Sequence, residues 1–530
     1  MYRITRPLEA LTNSLTMYQV TVYALCLIVA TSLLLSALGE LGFSFGTLIA
    51  TLSVVLASSY IVSLLFAWTV GTAHHRASGL ITALILYLTL APGENATELL
   101  NLALVSGIAV ASKYMLVWRG RHIFNPAAVA LTLGSLLGLS ASFWWVATPL
   151  LLPVVIIAGI LIVTKTRRYA MVGMFLFTAL AVSAVVAGYS SFPVHEALRL
   201  DILSGPLVFF AAVMLTEPLT SPATKHSQLL YAGLTGVLYS AQLPFVSTPS
   251  VALLVGNAGA FLLGSRTGAL RMRIKDIREI APNVYELRAL PLARIPYVAG
   301  QYIEINLPHK QQDARGTRRI FSLASAPSEQ YIRLTTKIPT NHASSFKRAF
   351  ASLQPDTIVR GTYIGGDFRL PAKVEVPVVL IAGGIGITPF RSMITQMIHD
   401  ADTRKITLFY ITHTADAMTY RNFLEKATST LDITLVPITA QSPDNFSAQM
   451  LREYVTDMPN HYVYISGPPA MVDSIRTELS QRIISPAINL CGELRTRCQK
   501  VVTYLDCCCL RHSYIRELPI ACAEHLKPVA

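Results

Sequence analysis

Arg318-Arg319-Ile320-Phe321-Ser322-Leu323-Ala324-Ser325 reads as a β-strand. Alternation puts Ile320 and Ser322 on one face and Phe321 and Leu323 on the other. A guanidinium, an aromatic ring and a hydroxyl close together on a strand suit a flavin dinucleotide. The cation neutralises a pyrophosphate, the ring packs on the isoalloxazine, and the hydroxyl bonds its edge. The same pattern also describes an ordinary amphipathic strand, so the flanking sequence has to decide.

Around this stretch, Arg271–Ile277, Tyr285–Ala289, Tyr302–Leu307 and Tyr331–Ile338 read as further strands with no long helix between them, which predicts an antiparallel barrel. Ala343-Ser344-Ser345-Phe346 opens a short helix whose N–H groups and hydroxyls suit a phosphate. The pattern then changes to alternating strand and helix. Val376–Ala382 is a buried-type strand running into Gly383-Gly384-Ile385-Gly386-Ile387-Thr388-Pro389-Phe390 and a helix ending near Asp400. Strand, glycine turn and helix N-terminus together form a site for a dinucleotide pyrophosphate, with Thr388 expected to cap the helix and Pro389 to sit in its first turn. Strands follow at Ile406–Thr412, Ile433–Thr439 and Tyr462–Ser466, the last entering Gly467-Pro468-Pro469.

Taken in order, these motifs resemble the ferredoxin-NADP reductase family. Arg319, Phe321 and Ser322 match its Arg-x-Tyr-Ser flavin motif, with Phe in place of Tyr. Gly300-Gln301-Tyr302 matches its Gly-Gln-Tyr element, and Gly361 through Phe368 its glycine-rich turn closing the flavin site. Ser466-Gly467-Pro468 matches its nicotinamide turn, with Ser in place of Cys. The resemblance implies FAD on Arg319, Phe321, Ser322, Gln301, Tyr302, Lys337, Ser344, Ser345, Gly366 and Phe368. It implies NADH or NADPH on Gly383, Gly384, Gly386, Thr388, Pro389, Ser466, Gly467 and Pro468, with no side chain needed as a catalytic general base. His413-Thr414-Ala415-Asp416 and Arg421 do not choose between the two nucleotides.

Composition divides the chain. Of 530 residues 52% are hydrophobic and 14% charged, too apolar for a soluble protein of this length. Charges are sparse up to about residue 265. About ten apolar spans are expected there, roughly 16–38, 45–70, 78–92, 98–118, 126–143, 147–164, 169–189, 204–216, 228–243 and 249–265. With the N-terminus inside, Arg3, Arg6, Arg76, Arg119, Arg121, Lys165, Arg167, Arg168 and Lys225 all fall on the inner side. The outer loops carry Arg199. That places both termini and the reductase half in the cytoplasm of a multi-pass protein of the cell membrane. The net charge of +13 follows from topology charges and anionic cofactors, with no nucleic acid implied. Of the seven cysteines only Cys26 precedes residue 491, so the main body holds no disulfide framework and no metal site is expected. The expected organisation is a polytopic helical domain over 1–268, an FAD barrel over 269–373 and an α/β nicotinamide domain over 374–482. A cysteine-rich tail over 483–530 matches no ferredoxin or zinc spacing; a shifted reading frame would explain it, and a redox or metal-binding tail is the alternative.

Within the apolar half, Phe124-Asn125-Pro126-Ala127 and Leu215-Thr216-Glu217-Pro218 resemble the RnfD/NqrB membrane subunits. The resemblance implies a membrane flavin near Asn125, Pro126, Thr216 and Glu217. The family's Thr for covalent FMN is missing, so FMN or riboflavin would be held non-covalently. The expected function is transfer of electrons from NAD(P)H through FAD to this membrane flavin and on to a quinone or extracytoplasmic flavoprotein. The alternatives are an ion or flavin transporter energised by the reductase, a haem relay (disfavoured, since His74, His75 and His122 form no paired ligands) and a simple lipid anchor.

Overall fold

The computed structural model describes residues 15–70, 76–118, 121–222, 225–241, 243, 248–264, 270–309, 313, 316–340, 343–366, 368–439, 448–455, 460–479, 501–505 and 516–517. The chain forms two compact units, residues 1–266 and, in the main, residues 267–530.

The first unit is helical because its sequence is apolar around the whole helix circumference, with caps at the breaks. Helix α1 (Met17–Ala37) starts in a capping box, with Thr16 accepting from the Gln19 N–H at 3.1 Å while Gln19 Oε1 accepts from Thr16 N at 2.8 Å. Every expected span coincides with a helical segment: α2 (Phe45–Val70), α3 (Arg76–Thr89), α4 (Ala96–Met115), α5 (Pro126–Leu136), α6 (Leu152–Thr166), α7 (Tyr169–Tyr189), α9 (Leu207–Phe209) with a π-helical turn Phe210–Met214, α10 (Lys225–Ser240) and α11 (Pro249–Gly264). A short α8 (Val194–Leu203) precedes α9, and a two-stranded antiparallel ribbon, β1 (Val117–Trp118) and β2 (Arg121–His122), lies between α4 and α5. The count of about ten full spans is not reproduced. Among the described residues 4 helices are long and apolar enough to cross a membrane, or 5 if α8 and the α9 segment, bent by 60°, are one span. The others are too short for the roughly 20 residues that a straight crossing needs. Their outer faces are nonetheless apolar: Leu136 on α5 is 76% and Ile157 on α6 54% exposed. Such side chains need a lipid or protein cover.

The second unit has two sheets. Six antiparallel strands run in the order β6-β5-β8-β3-β4-β7, namely β3 (Leu270–Ala281), β4 (Val284–Pro291), β5 (Tyr302–Asn306), β6 (Arg318–Ser322), β7 (Ile332–Lys337) and β8 (Ile358–Gly365). A bridge from Leu323 to Leu334 brings the two end strands together and closes the barrel. The glycine-rich stretch expected as a turn from Gly361 is strand as far as Gly365. Gly361 is where β8 presses on its neighbours, since a Cβ there would lie 2.8 Å from Ile303 Cδ1. Helix α12 (Ser345–Ala351) lies beside the barrel, its Phe346 and Phe350 buried in the barrel core.

The second sheet is parallel, with strands β9 (Val378–Gly383), β10 (Ile406–Thr412), β11 (Ile433–Thr439), β12 (Tyr462–Gly467) and β13 (Val501–Leu505) in the order β11-β10-β9-β12-β13. A short β14 (Arg516–Glu517) pairs antiparallel to β13. Helix α13 (Ile387–Asp400) follows β9, α14 (Arg421–Thr428) follows the β10 loop, and α15 (Ala448–Tyr454) and α16 (Pro469–Glu478) complete the layers. Buried clusters cover both faces, as a parallel sheet requires. Val501–Leu505 falls inside the stretch set apart as a tail and pairs in register with Val463–Gly467. The cysteines from Cys491 to Cys522 lie outside the described residues.

Candidate functional site

In the parallel sheet the chain leaves β9 to one side for β10 and β11, and to the other for β12. The gap at the carboxyl ends of β9 and β12 is therefore the topological switch point, where open α/β sheets bind ligands. Both glycine motifs meet there because β9 and β12 pair directly, Ala382 opposite Ser466. A Cβ on Gly386 would lie 2.3 Å from the Ser466 carbonyl oxygen, so the turn can approach β12 this closely only as glycine. Gly384 differs. Its φ is +52° and nothing lies within 4 Å of its missing Cβ, so its backbone faces open space. The Tyr410 hydroxyl fixes this peptide, donating to Gly384 O at 3.1 Å and accepting from Thr419 N at 3.0 Å. Burial pushes that hydroxyl up to about 12 against the lowering effect of the Thr419 bonds, so it remains a donor at neutral pH.

Thr388 does not cap α13: its hydroxyl donates to Ile385 O at 3.0 Å, and the helix has no side-chain cap. The reason is register. The helix begins at Ile387, which puts Thr388 inside its first turn and Pro389 after it. The first N–H of the helix, that of Ile387, is taken by Gly384 O through a 3-10 turn over Gly384–Gly386, so N–H donors for a phosphate would come from the glycine turn ahead of it. Ser466 is fully buried, and its Oγ has no hydrogen-bond partner. An orphaned hydroxyl here is costly unless a ligand takes it. Gly467 and Pro468 lead from it into α16, with Met471 packed where a Cβ on Gly383 would fall, 2.4 Å from Sδ. The site thus fits a nicotinamide dinucleotide on open backbone and an unused hydroxyl.

In the barrel, Arg319 is 6% exposed and its guanidinium stacks 5.1 Å from the centre of the Phe346 ring. It donates to Arg318 O at 2.6 Å and to Asp313 Oδ1 at 3.4 Å. Ser344 caps α12, and Ser345 Oγ lies 3.0 Å from His309 Nε2. A buried cation beside clustered hydroxyls suits a phosphate. His309 and Asp313 escaped the sequence reading, because the strand motif gives no sign of what the preceding loop folds onto it. The ring of Phe321 is turned the other way from the expected role. It is 5% exposed and stacks on Phe350, with centroids 5.4 Å apart, inside the barrel core. The residues facing the α/β domain are Ile320 and Tyr302, which share a cluster with Phe368 and Phe390. Phe368 is fully buried between Phe390 and Tyr464, a core position. Gln301 Nε2 holds the Gly366 carbonyl at 2.9 Å, and Gly366 packs on the Tyr302 ring. Ser322 is buried on β6, whereas Lys337 is exposed and its carbonyl accepts from Lys347 Nζ at 2.5 Å.

In the helical unit, Asn125, Pro126, Thr216 and Glu217 line one cavity. It encloses about 660 Å³ of atom-free space, part of it open, with Tyr18, Ser78, Thr82 and Thr166 also on its walls. Asn125 caps α5 as expected, accepting from Ala128 N at 3.1 Å, while Asn257 Oδ1 accepts from its own N–H at 2.9 Å. Thr216 is turned back onto Ala212 O at 2.6 Å, and Glu217 Oε2 accepts from Thr220 at 3.2 Å. Lys113, absent from the sequence reading, donates to Ser78 O at 2.7 Å at the cavity wall and interacts with the Glu217 charge. A lone lysine in an apolar helix carries no motif that would flag it.

Residues 380–477 match the family described as oxidoreductase NAD-binding domain. The chain is 26% identical over 207 residues to a 2-halobenzoate 1,2-dioxygenase electron transfer component from Burkholderia cepacia, covering 37% of this chain and 58% of that one. It is 23% identical over 224 residues to an NAD(P)H-flavin reductase from Vibrio harveyi, covering 40% and 92%. It is 28% identical over 240 residues to the reductase component DmpP of phenol 2-monooxygenase from Pseudomonas sp. strain CF600, covering 42% and 65%. The chain thus spans less than two-thirds of the length of the first and third of these relatives.

Proposed function

We propose that this chain is a membrane-bound NAD(P)H-dependent FAD oxidoreductase that delivers electrons to a flavin-bearing helical domain. The observation that carries the reductase reading is the switch point, where the open Gly384 backbone, the uncapped start of α13 and the orphaned Ser466 hydroxyl converge. The match of residues 380–477 and the reductase relatives support it. FAD supplies the step from two-electron to one-electron transfer: it takes a hydride at N5 and releases electrons singly. Arg319 and Ser345 would neutralise and bond its pyrophosphate, and Tyr302 and Ser322 would face its ring. Tyr410 orients the Gly384 peptide, and packing of Gly386 on Ser466 holds the turn against β12.

The helical half is read as a multi-pass domain of the cell membrane with about ten crossings or partial crossings and both ends in the cytoplasm. Non-covalent FMN or riboflavin would occupy the cavity at Asn125, Pro126, Thr216 and Glu217, and a quinone or extracytoplasmic flavoprotein would be the acceptor. The resemblance of its two motifs to the RnfD/NqrB subunits supports this, as does their convergence on one cavity. The test is acid extraction and chromatography of flavins from the purified full-length protein, with anaerobic titration by NADH and NADPH at 450 nm. FAD plus a second flavin, both bleached, is the expected result. No bleaching by either nucleotide refutes the reductase, and FAD alone refutes the membrane flavin. A second reading, ion transport energised by the reductase, is favoured by two ionisable residues in the apolar unit, Glu217 lining the cavity and Lys113 bonded to Ser78 on its wall. Dependence of NAD(P)H oxidation on sodium or on a proton gradient distinguishes it.

A further inference from the structure

Between the barrel and the parallel sheet of the second unit lies a buried clasp that neither motif includes. Its centre is Arg391, 7% exposed, one turn along α13 from the pyrophosphate turn. One guanidinium nitrogen donates to Ala324 O at 2.6 Å and to Glu329 Oε2 at 2.8 Å, and another to Glu329 Oε1 at 3.0 Å. The rings of Tyr420 and Phe423 enclose it at 5.2 and 5.0 Å. The next residue repeats the connection, with the Ser392 hydroxyl donating to Ser325 O at 2.5 Å. On the barrel side, Arg333 joins Glu329 at 3.0 Å and Glu286 at 2.7 Å, and the Tyr420 hydroxyl donates to Glu286 at 2.7 Å.

The position of these bonds matters more than their number. Ala324 is two residues beyond Ser322 on the flavin strand, and Arg391 is four beyond Ile387 at the start of α13. A hydrogen-bonded path from the flavin strand to the dinucleotide turn therefore runs through this planar fork, beside the Ser392 bond. Arginine suits this because its donors are fixed in one plane and match a carboxylate bidentately. A well-packed apolar contact would hold the two halves together at no desolvation cost, but would not fix their register.

We propose that Arg391 is a positioning residue that sets the approach of the nicotinamide to the flavin by clamping α13 to the loop after β6. This rests on the reductase reading above. The step it serves transfers a hydride, one proton with two electrons, from NAD(P)H to the flavin. The nucleotide is oxidised to NAD(P)⁺, and the flavin is reduced and takes one proton from solvent. Reacting atoms must meet at roughly 3–3.5 Å, and a displacement of about 1 Å costs about 100-fold in rate.

The experiment uses the full-length holoprotein with Arg391→Lys, Arg391→Met and, as a control, Arg333→Met, which breaks barrel-side bonds only. Stopped-flow reduction at rising NADH or NADPH separates nucleotide affinity from the limiting rate, and 4-deuterated nucleotide gives the isotope effect. Both Arg391 variants should keep their FAD and bind nucleotide within about 3-fold of wild type. Their limiting rates should fall by about 10- to 100-fold, with an isotope effect that rises as hydride transfer becomes fully rate-limiting. Arg333→Met should keep its rate within about 2-fold. Should Arg391→Met fail to fold, Arg391→Lys decides, since it keeps charge and loses the fork. An unchanged limiting rate in Arg391→Lys overturns the proposal, as does equal slowing by Arg333→Met. Wild-type protein that neither nucleotide reduces refutes the reductase reading instead.

Discussion

Replacing Gly384 and Gly386 one at a time by alanine separates a ligand surface from a packing contact. At Gly386 the new methyl would sit 2.3 Å from Ser466 O and 2.7 Å from Gly467 N, both backbone. Backbone cannot rotate away, so the turn must retreat from β12 by roughly 1 Å to restore ordinary contact. Overpacking of that kind costs about 1–3 kcal/mol, a melting shift of roughly 2–4 °C per kcal/mol for a unit of this size. At Gly384 the methyl meets nothing within 4 Å, and only the left-handed φ of +52° opposes it, costing about 1–2 kcal/mol. It does, however, stand on the face where the pyrophosphate would approach. Gly384→Ala should therefore raise the KM for NAD(P)H by about 10-fold or more, about 1.4 kcal/mol of lost nucleotide binding, with a melting shift no larger than that of Gly386→Ala. Gly386→Ala should lower stability and rate together. The assays are scanning calorimetry of the holoprotein and steady-state reduction of ferricyanide at varied NADH and NADPH. A Gly384→Ala variant with unchanged KM for both nucleotides would refute the placement of the dinucleotide on this turn.

Ser466→Ala removes a buried hydroxyl without a protein partner, so unfolding of the ligand-free protein should be unaffected or harder by about 1 kcal/mol; the same change should slow flavin reduction, and a loss of stability instead would mean that the hydroxyl is already satisfied. Burial alone would raise the Glu329 carboxyl, but the bonds and charge of Arg391 outweigh it and hold the group below its ordinary 4.5. Its contribution to stability is therefore complete above pH 4.5 and lost as pH falls through the lower folded value; urea melts from pH 7 to pH 3 should show that loss in the wild type and a flatter profile in Glu329→Gln. Tyr420→Phe deletes the bond to Glu286 at 2.7 Å and leaves part of a 5%-exposed carboxylate unpaired. It should cost about 1–3 kcal/mol in the same melts, and a cost below about 0.5 kcal/mol would argue that Arg333 satisfies the group without it.

Much of this architecture is local and so is visible in the chain itself. Strand alternation, glycine turns and helix caps act over a few residues, which is why Ile406–Thr412 and Ile433–Thr439 fall where expected and Asn125 caps its helix. The order of motifs likewise locates the strand at Arg318–Ser322 and the glycine turn after Val378–Gly383. Lengths of apolar runs say that an apolar cover is needed but not how many helices are long enough to cross a membrane, because a run can be spent on a short helix and a turn, as at Pro126–Leu136. Three further decisions belong to the tertiary structure alone. Phe321 turns inward because Phe346 and Phe350, brought by a helix more than twenty residues on, supply a stacking partner. Thr388 loses its capping role to a two-residue difference in where the helix begins. Arg391, Glu329 and Tyr420 are ordinary residues in sequence, and only the packing of two sheets brings them into one clasp, where burial makes each hydrogen bond depend on the others.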